Sequence, residues 1–331
     1  MCKKIKRELR WAVIGAGWIA NDMAAAFNEN GRTFYAVGNR THSKAIDFAE
    51  KYGVEKIYDE IDDMFADPDV DVIYIATPHN HHYRYAKKAL ENGKHVLVEK
   101  AITLNSRELD EMTALAKEKN LVLAEAMTIY HMPLYKKLWN LVKSGKFGKV
   151  QMITANFGSY KEYDMSNRFF GLETAGGALL DIGVYALSVV RGFMDEKPDK
   201  VLSQVKLSEA GSDEQATILL SNPSGQMATV ALSMHSKQPK CVVVSCEKAY
   251  IEIYEYPRGE KAVIVDAVTG AKEELLCGST KDALWYEVED MEEAVFTEDC
   301  DSMKLEYTKD VMQIMTRLRK EWGLKYPGEE W

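Results

Sequence analysis

Cysteine is scarce in this sequence: five in 331 residues, at Cys2, Cys241, Cys246, Cys277 and Cys300. The number is odd and no C-x-x-C pair occurs. That excludes a disulfide framework and a cysteine zinc site, and it fits a reducing compartment. Basic residues are in deficit too. Lysine and arginine total 42 against 51 aspartates and glutamates, a formal charge of −9. A chain of that balance lacks the cationic footprint of a nucleic-acid binder and repels anionic membrane surfaces. No apolar run approaches the ~20 residues that span a bilayer, so no membrane segment is expected. One stretch imitates a secretory signal: Lys3, Lys4, Lys6, Arg7 and Arg10 precede an apolar run from Trp11. That run contains Gly15 and Gly17 and ends at Asn21-Asp22, which reads as strand and turn, so the expected location is the cytoplasm.

What is present is ordinary globular material, 46% hydrophobic and 28% charged. It suffices for a sizeable core and is unlike disordered, collagen-like or coiled-coil chains. The length suggests two domains. The first, residues 1–126, alternates apolar β-branched runs (11–14, 33–37, 70–76, 95–98, 121–124) with helix-period stretches (19–28, 43–52, 82–92, 106–119). That alternation predicts βαβ units on a doubly wound parallel sheet, buried on both faces. Gly53 and Gly93 are placed as helix C-caps, and Asn105 with Glu108 has capping-box spacing. The second, residues 127–331, changes character. Helices are expected at 134–144 and 177–190, a strand at 150–157, then six strands between 201 and 267 without crossover helices. Such strands imply an antiparallel sheet. Helices at 284–296 and 302–322 close the chain, giving α/β followed by α+β. The apolar residues Met303, Tyr307, Met312, Met315 and Leu318 recur near helical spacing and read as packing.

Gly15-Ala16-Gly17-Trp18-Ile19-Ala20 lies between the first strand and the first helix and fits G-x-G-x-x-G/A. The first glycine permits the tight turn and the second the approach of a pyrophosphate. The third small residue lets helix and strand pack, and the helix N-terminus favours the anion. In this context the turn predicts a dinucleotide cofactor, with Gly15, Gly17, Trp18 and Ile19 against it. A carboxylate for the ribose hydroxyls of NAD is missing from Gly38-Asn39-Arg40-Thr41. Arg40 is suited to a 2′-phosphate, with Asn39 beside it, so NADP is favoured. A solvated Arg40 and a site that takes either NADP or NAD is the alternative.

Four stretches in order resemble the Gfo/Idh/MocA oxidoreductases: GAGWIA at Gly15, IATPHNHHYRYAKKAL from Ile75, GKHVLVEKAITLN from Gly93 and AGGALLDIGVYAL from Ala175. The closing Gly323-Leu324-Lys325-Tyr326-Pro327 fits as well, and Leu-Leu-Asp-Ile-Gly-Val-Tyr is nearest the dihydrodiol dehydrogenase branch. The resemblance implies a Rossmann domain followed by an open antiparallel sheet flanked by helices. That sheet often joins subunits, so a homo-oligomer (dimer or tetramer) is expected. It also implies hydride transfer between a nicotinamide and a sugar, polyol or dihydrodiol-like small molecule.

Glu99-Lys100 matches the family's Glu-Lys-Pro, whose lysine is essential; here Ala101 replaces the proline that shapes the turn. Thr77, Pro78 and Asn80 are expected to border the cofactor ribose, and His82 completes the family's T-P-x-x-x-H loop. Asp181 and Tyr185 are four apart on one helix face. The expected mechanism has Tyr185 take the substrate hydroxyl proton and Lys100 hold the alkoxide, while Asp181 orients substrate or lysine. A neighbouring ammonium would favour the phenolate. Lys100 as the acid–base group itself is the alternative. Arg168 lies in a stretch that approaches substrate in relatives. His79, His81 and His82 resemble a metal cluster, but no remote ligand set completes it, so no metal is expected. Two further functions compete: a non-catalytic cofactor-binding regulator, which Lys100, Asp181 and Tyr185 argue against, and a redox-neutral NAD-dependent glycosidase.

Overall fold

The computed structural model describes residues 8–331. Residues 1–7, with Cys2 and most of the basic cluster before Trp11, lie outside the described residues.

The first part runs β1 (Trp11–Ile14), α1 (Trp18–Glu29), β2 (Ala36–Gly38), α2 (His42–Tyr52), β3 (Lys56–Tyr58), α3 (Ile61–Ala66), β4 (Val72–Ile75), α4 (His82–Glu91), β5 (His95–Glu99), α5 (Ser106–Glu118) and β6 (Leu123–Ala126). The six strands are parallel in the order β3-β2-β1-β4-β5-β6. Order reverses between β1 and β4, so a crevice opens beyond their carboxyl ends, the place where such sheets bind ligands. Every residue of β1, β4 and β6 is buried, as crossover helices on both faces require. Sequence patterning misses β3 and α3. Three residues, two of them exposed, are too few to show a period. Asn105 caps α5 by accepting from Glu108 N at 3.1 Å, while the Glu108 carboxylate takes Leu104 N at 3.0 Å, a shifted capping box.

The second part continues with α6 (Thr128–His131), α7 (Pro133–Lys143), β7 (Val150–Gly158), a π turn (Leu179–Gly183) leading into α8 (Val184–Phe193), β8 (Lys200–Leu207), β9 (Asp213–Ser221), β10 (Met227–Ser233), β11 (Gln238–Cys246), β12 (Ala249–Tyr254), β13 (Lys261–Asp266), β14 (Lys272–Leu276), α9 (Ala283–Thr297) and α10 (Leu305–Trp322). The eight strands lie in the order β14-β13-β12-β11-β7-β10-β9-β8. The expected antiparallel sheet is mixed: β7 and β10 pair in parallel, Met152 beside Met227. The long loop and helix after β7 make that crossover possible, and local patterning carries no sign of it. The edge strand β14, mostly exposed and charged, also escapes prediction.

Two features tie the parts together. α9 returns to the first sheet, where Leu284, Val288 and Met291 pack with Trp11, Val13 and Phe27, and Trp11 Nε1 donates to Glu292 Oε1 at 2.8 Å. At the other end Arg319 of α10 forms a fully buried pair with Glu329 and donates to Leu104 O, and Asn105 Nδ2 donates to Glu329 Oε1 at 2.9 Å. The segment Leu172–Phe193 corrects one expectation: 22 residues with hydropathy 1.3 have the length and composition to cross a membrane. Its apolar window is 89% buried inside the second part, where α8 packs beneath β7 and against α10.

Candidate active site

The glycine turn is built for close approach. Gly15 has φ +108°, and a Cβ on it would stand 2.5 Å from Ala76 O. Only glycine serves there. Gly17 is the N-cap of α1 with no side chain capping it and no acid in the first turn. The leading amides of α1 are therefore left for an anion. Beside them Thr77 Oγ1 is buried without a partner. These features fit a dinucleotide pyrophosphate. Trp18 stands 74% exposed over the turn, and Ile19 is half-buried. At the carboxyl end of β2, Asn39 Nδ2 donates to Thr41 O at 2.8 Å and Arg40 is exposed without a carboxylate partner among the described residues. Burial first, then the charges of Arg84 and Arg40, hold the His81 imidazole below its ordinary pKa.

β5 delivers Lys100 to the crevice. Its Nζ donates to Asp181 O at 2.7 Å and to Asp181 Oδ1 at 3.1 Å, and lies 5.0 Å from the centre of the Tyr185 ring. The three expected catalytic residues thus meet, although 81 positions separate Lys100 from Asp181. Asp181 sits on the π turn, a wider helical ring that recurs at functional sites. From it both its carbonyl and its carboxylate reach the amine. Tyr185 opens α8 and packs on Phe157 of β7, ring centres 6.1 Å apart.

Burial disfavours charge on Lys100, but Asp181, Tyr185 and Glu99 around it win and hold its pKa above that of a free lysine. Burial likewise opposes the Asp181 anion, yet Lys100, with His79 and Arg168, keeps that carboxyl below the usual range. For Tyr185 the balance goes the other way. Burial pushes the phenol up to about 12 and outweighs Lys100, which pulls it down. The expected phenolate is therefore not the resting form. At neutral pH the site holds an ammonium, a carboxylate and a protonated phenol.

The Lys100–Ala101 peptide is cis, and histidines brace its surroundings. His82 is fully buried, with Nδ1 2.9 Å from Ala101 O and Nε2 2.7 Å from Thr77 O. It supports the cofactor loop from below, and its side chain does not reach the crevice surface. His79 Nε2 lies 3.1 Å from Lys100 O and Nδ1 3.3 Å from Ala175 O. Burial, chiefly, takes His79 down to about 4 and His82 to about 3, so both rings are neutral. Asn80 Nδ2 donates to Glu173 O at 2.9 Å, and Pro78, exposed, precedes the short turn over residues 79–81 that holds Asn80. Glu99 turns away from the crevice: it accepts from Tyr74 Oη and is buried. Arg168 is exposed, its guanidinium 4.1 Å from the Phe169 ring centre.

Two residues went unforeseen. Asp213 of β9 is buried and accepts from Leu179 N at 2.6 Å, capping the π turn from another element; a Cβ on Gly177 would collide with it at 2.1 Å. Burial pushes its carboxyl up to about 7. The charge of Arg258, in the turn after β12, opposes the rise that burial imposes on Tyr185 and Glu99. Nothing in the local sequence marks either residue, because each is defined by partners remote along the chain.

The chain matches a family model described as "Oxidoreductase family, NAD-binding Rossmann fold" over residues 9–127 and the GFO/IDH/MocA C-terminal domain over residues 135–252. It is 29% identical over 339 residues to trans-1,2-dihydrobenzene-1,2-diol dehydrogenase from Mus musculus, covering 97% of this chain and 99% of that protein. To the Sus scrofa protein of that name it is 32% identical over 253 residues, 75% and 74% of the two chains. Among solved structures it resembles an NAD binding oxidoreductase from Klebsiella pneumoniae, with TM-score 0.86, 19% identity and coverage of 96% and 97%. It also resembles KijD10, a 3-ketoreductase from Actinomadura kijaniata in complex with NADP and TDP-benzene, with TM-score 0.81, 21% identity and coverage of 94% and 96%. The structural neighbours establish the fold, and with the matched models and relatives the conclusion follows that this chain belongs to the Gfo/Idh/MocA family of NAD(P)-binding oxidoreductases.

Proposed function

We propose that the chain is an NADP-preferring dehydrogenase or reductase of a sugar, polyol or dihydrodiol, with residues 1–126 holding the cofactor and residues 127–331 the substrate. One observation carries the reading: Lys100 is fixed against Asp181 and under the Tyr185 ring, at the carboxyl end of β5 in the same parallel sheet whose β1 leads into the glycine turn. Bound there, the nicotinamide would supply or accept the hydride. The chain's own groups handle the proton and the charge. The Tyr185 phenol, protonated at neutral pH, donates to the carbonyl oxygen of a substrate being reduced, and in the oxidative direction takes the proton back. The Lys100 ammonium stabilises the developing alkoxide, held in place by Asp181. Gly15, Gly17, Thr77 and Arg40 are the residues suited to the pyrophosphate, ribose and 2′-phosphate.

The names of the relatives support this substrate class: dihydrodiol dehydrogenases on one side and a 3-ketoreductase with NADP on the other. A screen of aldoses, polyols and dihydrodiols with NADP and NAD in parallel tests the proposal. Net change in nicotinamide absorbance is expected, larger with NADP. Sugar release without net reduction would instead indicate the redox-neutral glycosidase, and cofactor binding alone the regulator.

The second sheet supports a homo-oligomer. Its outer face carries Leu202 beside Leu219 and Met152 beside Met227 in cross-strand pairs, all four exposed. Bare apolar rows of this kind mark association surfaces. Sedimentation should give a dimer or tetramer, and Leu219→Lys should shift it toward monomer. The location we propose is cytoplasmic, a reading supported by the free thiols of Cys241, Cys246, Cys277 and Cys300.

A further inference from the structure

The closing Gly323-Leu324-Lys325-Tyr326-Pro327 belongs to the sequence pattern that marks the family, yet the reaction described so far makes no use of it. Its tyrosine is 2% exposed and open to no ligand, so its part lies in what it touches.

The helix before it grips the loop that follows Lys100. Thr316 and Arg319 of α10 follow Thr308 by about two and three helical turns, on one face, and all three are buried. Thr308 Oγ1 donates to Glu125 Oε2 at 3.1 Å, and Glu125 Oε1 accepts from Ile102 N at 3.0 Å. Arg319 donates to Leu104 O, and Thr316 Oγ1 accepts from Ser106 N at 2.9 Å. Three points between Ile102 and Ser106 are thus fixed to one helix.

The segment after α10 then folds back on it. Glu329 closes on the Arg319 guanidinium with both oxygens, at 2.7 and 2.8 Å. Tyr326 lies against this pair: its N donates to Glu329 Oε2 at 3.2 Å, and its ring centre is 4.7 Å from the guanidinium. At the far end of the ring its hydroxyl donates to Gly176 O at 2.8 Å. Gly176 leads into the turn that carries Asp181. The next residue, Gly177, donates to Phe169 O at 2.9 Å and accepts from Asp181 N at 3.3 Å. Packing there is tight, since a Cβ on Gly176 would stand 2.6 Å from Arg168 O. Burial, with the charge of Asp213 behind it, holds the Tyr326 phenol well above its ordinary pKa, so it stays a donor.

Lys100 and Asp181 come from distant stretches of the chain, and one residue is bonded to the supports of both. We infer that Tyr326 is a positioning residue for the reacting group: it fixes Gly176, and with it the Asp181 turn, against the Arg319–Glu329 pair that anchors the loop after Lys100. The amine meets Asp181 through two bonds, of 2.7 and 3.1 Å, and such bonds tolerate little displacement. The effect on rate rests on the dehydrogenase reading above, whereas the contact itself can be measured without turnover.

Tyr326→Phe removes the hydroxyl and keeps the ring. Trp322→Phe is the control, because it removes a bond of the same helix, Nε1 to Ser203 Oγ at 2.9 Å, that touches neither support. Two readouts are taken at a temperature where melting curves show both variants folded. The first is hydride transfer with NADP and glucose, sorbitol or trans-1,2-dihydrobenzene-1,2-diol. In Tyr326→Phe kcat should fall about tenfold or more, with KM and the NADP Kd within about twofold, as misplacement of a reacting group predicts. Trp322→Phe should keep kcat. The second is trace acetylation by acetic anhydride at about pH 9, which reports the free amine at Lys100 by peptide mass. Asp181, Tyr185 and Glu99 face that ammonium and favour its charge against burial. Loosening of Asp181 lowers the pKa of the amine. Lys100 should therefore acetylate about tenfold faster in Tyr326→Phe, relative to the exposed Lys44, which is what one charged hydrogen bond is worth. A kcat or a Lys100 acetylation rate that Tyr326→Phe leaves at the wild-type value overturns the inference, as does an equal change in Trp322→Phe. Wild-type protein that transfers hydride to none of the three probes counts against the dehydrogenase reading, and the acetylation contrast alone then decides the positioning role.

Discussion

The two ends of the crevice are built on opposite plans. At the end proposed for the nucleotide the groups are free among the described residues: bare amides at the start of α1, an unpartnered Thr77 hydroxyl, and Arg40 with no carboxylate. At the catalytic end they are engaged with each other: Lys100 with Asp181, Asp181 on its π turn, and that turn capped by Asp213. Free groups are satisfied by the ligand, so they govern affinity and selectivity. Engaged groups hold a geometry and a protonation state, so they govern rate and its dependence on pH. Substitutions at the two ends should therefore differ in kind.

The sharpest break is Lys100→Met. Loss of the charged donor should lower kcat by about 10³ or more while leaving the NADP Kd within a few-fold, by single-turnover kinetics and calorimetry. An equal loss in cofactor affinity would erase the contrast. Tyr185→Phe comes next, with a fall of about 10²–10³ in kcat. Its pH profile adds the sign. Because burial raises the phenol to about 12, reduction in the wild type should be flat through neutrality. Oxidation should climb with pH toward that value, and the climb should vanish in the Phe variant. A wild-type oxidation rate independent of pH from 6 to 10, with hydride transfer as the slow step, would transfer the proton role to Lys100. At the other end, Arg40→Ser should weaken NADP about tenfold with little change for NAD and leave kcat nearly intact. The smallest effect concerns stability. Asp213 is raised from 3.8 to about 7 in the folded protein, so its contribution is present at low pH and is lost as pH rises through 4 to 7. The wild-type Tm should therefore decline between about pH 4 and 7, and Asp213→Asn should flatten that decline.

The same contrast explains what the sequence could reveal. The nucleotide end is local: Gly15, Gly17 and the following helix occupy one short stretch whose spacing is itself the physics. The catalytic end is assembled from β5, the π turn and α8, and it was legible only because Lys100, Asp181 and Tyr185 match a family pattern. Residues without such a pattern stayed hidden. Arg258 reads as part of an ordinary Tyr-Pro-Arg-Gly turn, and Asp213 as one more acid before a strand. His82 and Glu99, expected at the cofactor, turn inward, since a motif fixes a residue's place on an element and not which way its side chain packs. The fold divides likewise. Long buried strands such as β4 and β5 announced themselves. The three-residue β3, the exposed β14 and the parallel pairing of β7 with β10 did not, because their existence depends on neighbours and not on their own pattern.

The π turn at Leu179–Gly183 holds one residue more than an α-helical path between the same points would need. A deletion inside it can therefore close the helix without breaking it. Each residue of an α-helix advances the azimuth by about 100°, so such an excision would swing Asp181 away from Tyr185 while the helix beyond kept its seat. One surplus position thus acts as a phase-setter for everything that the chain presents to the crevice from that side.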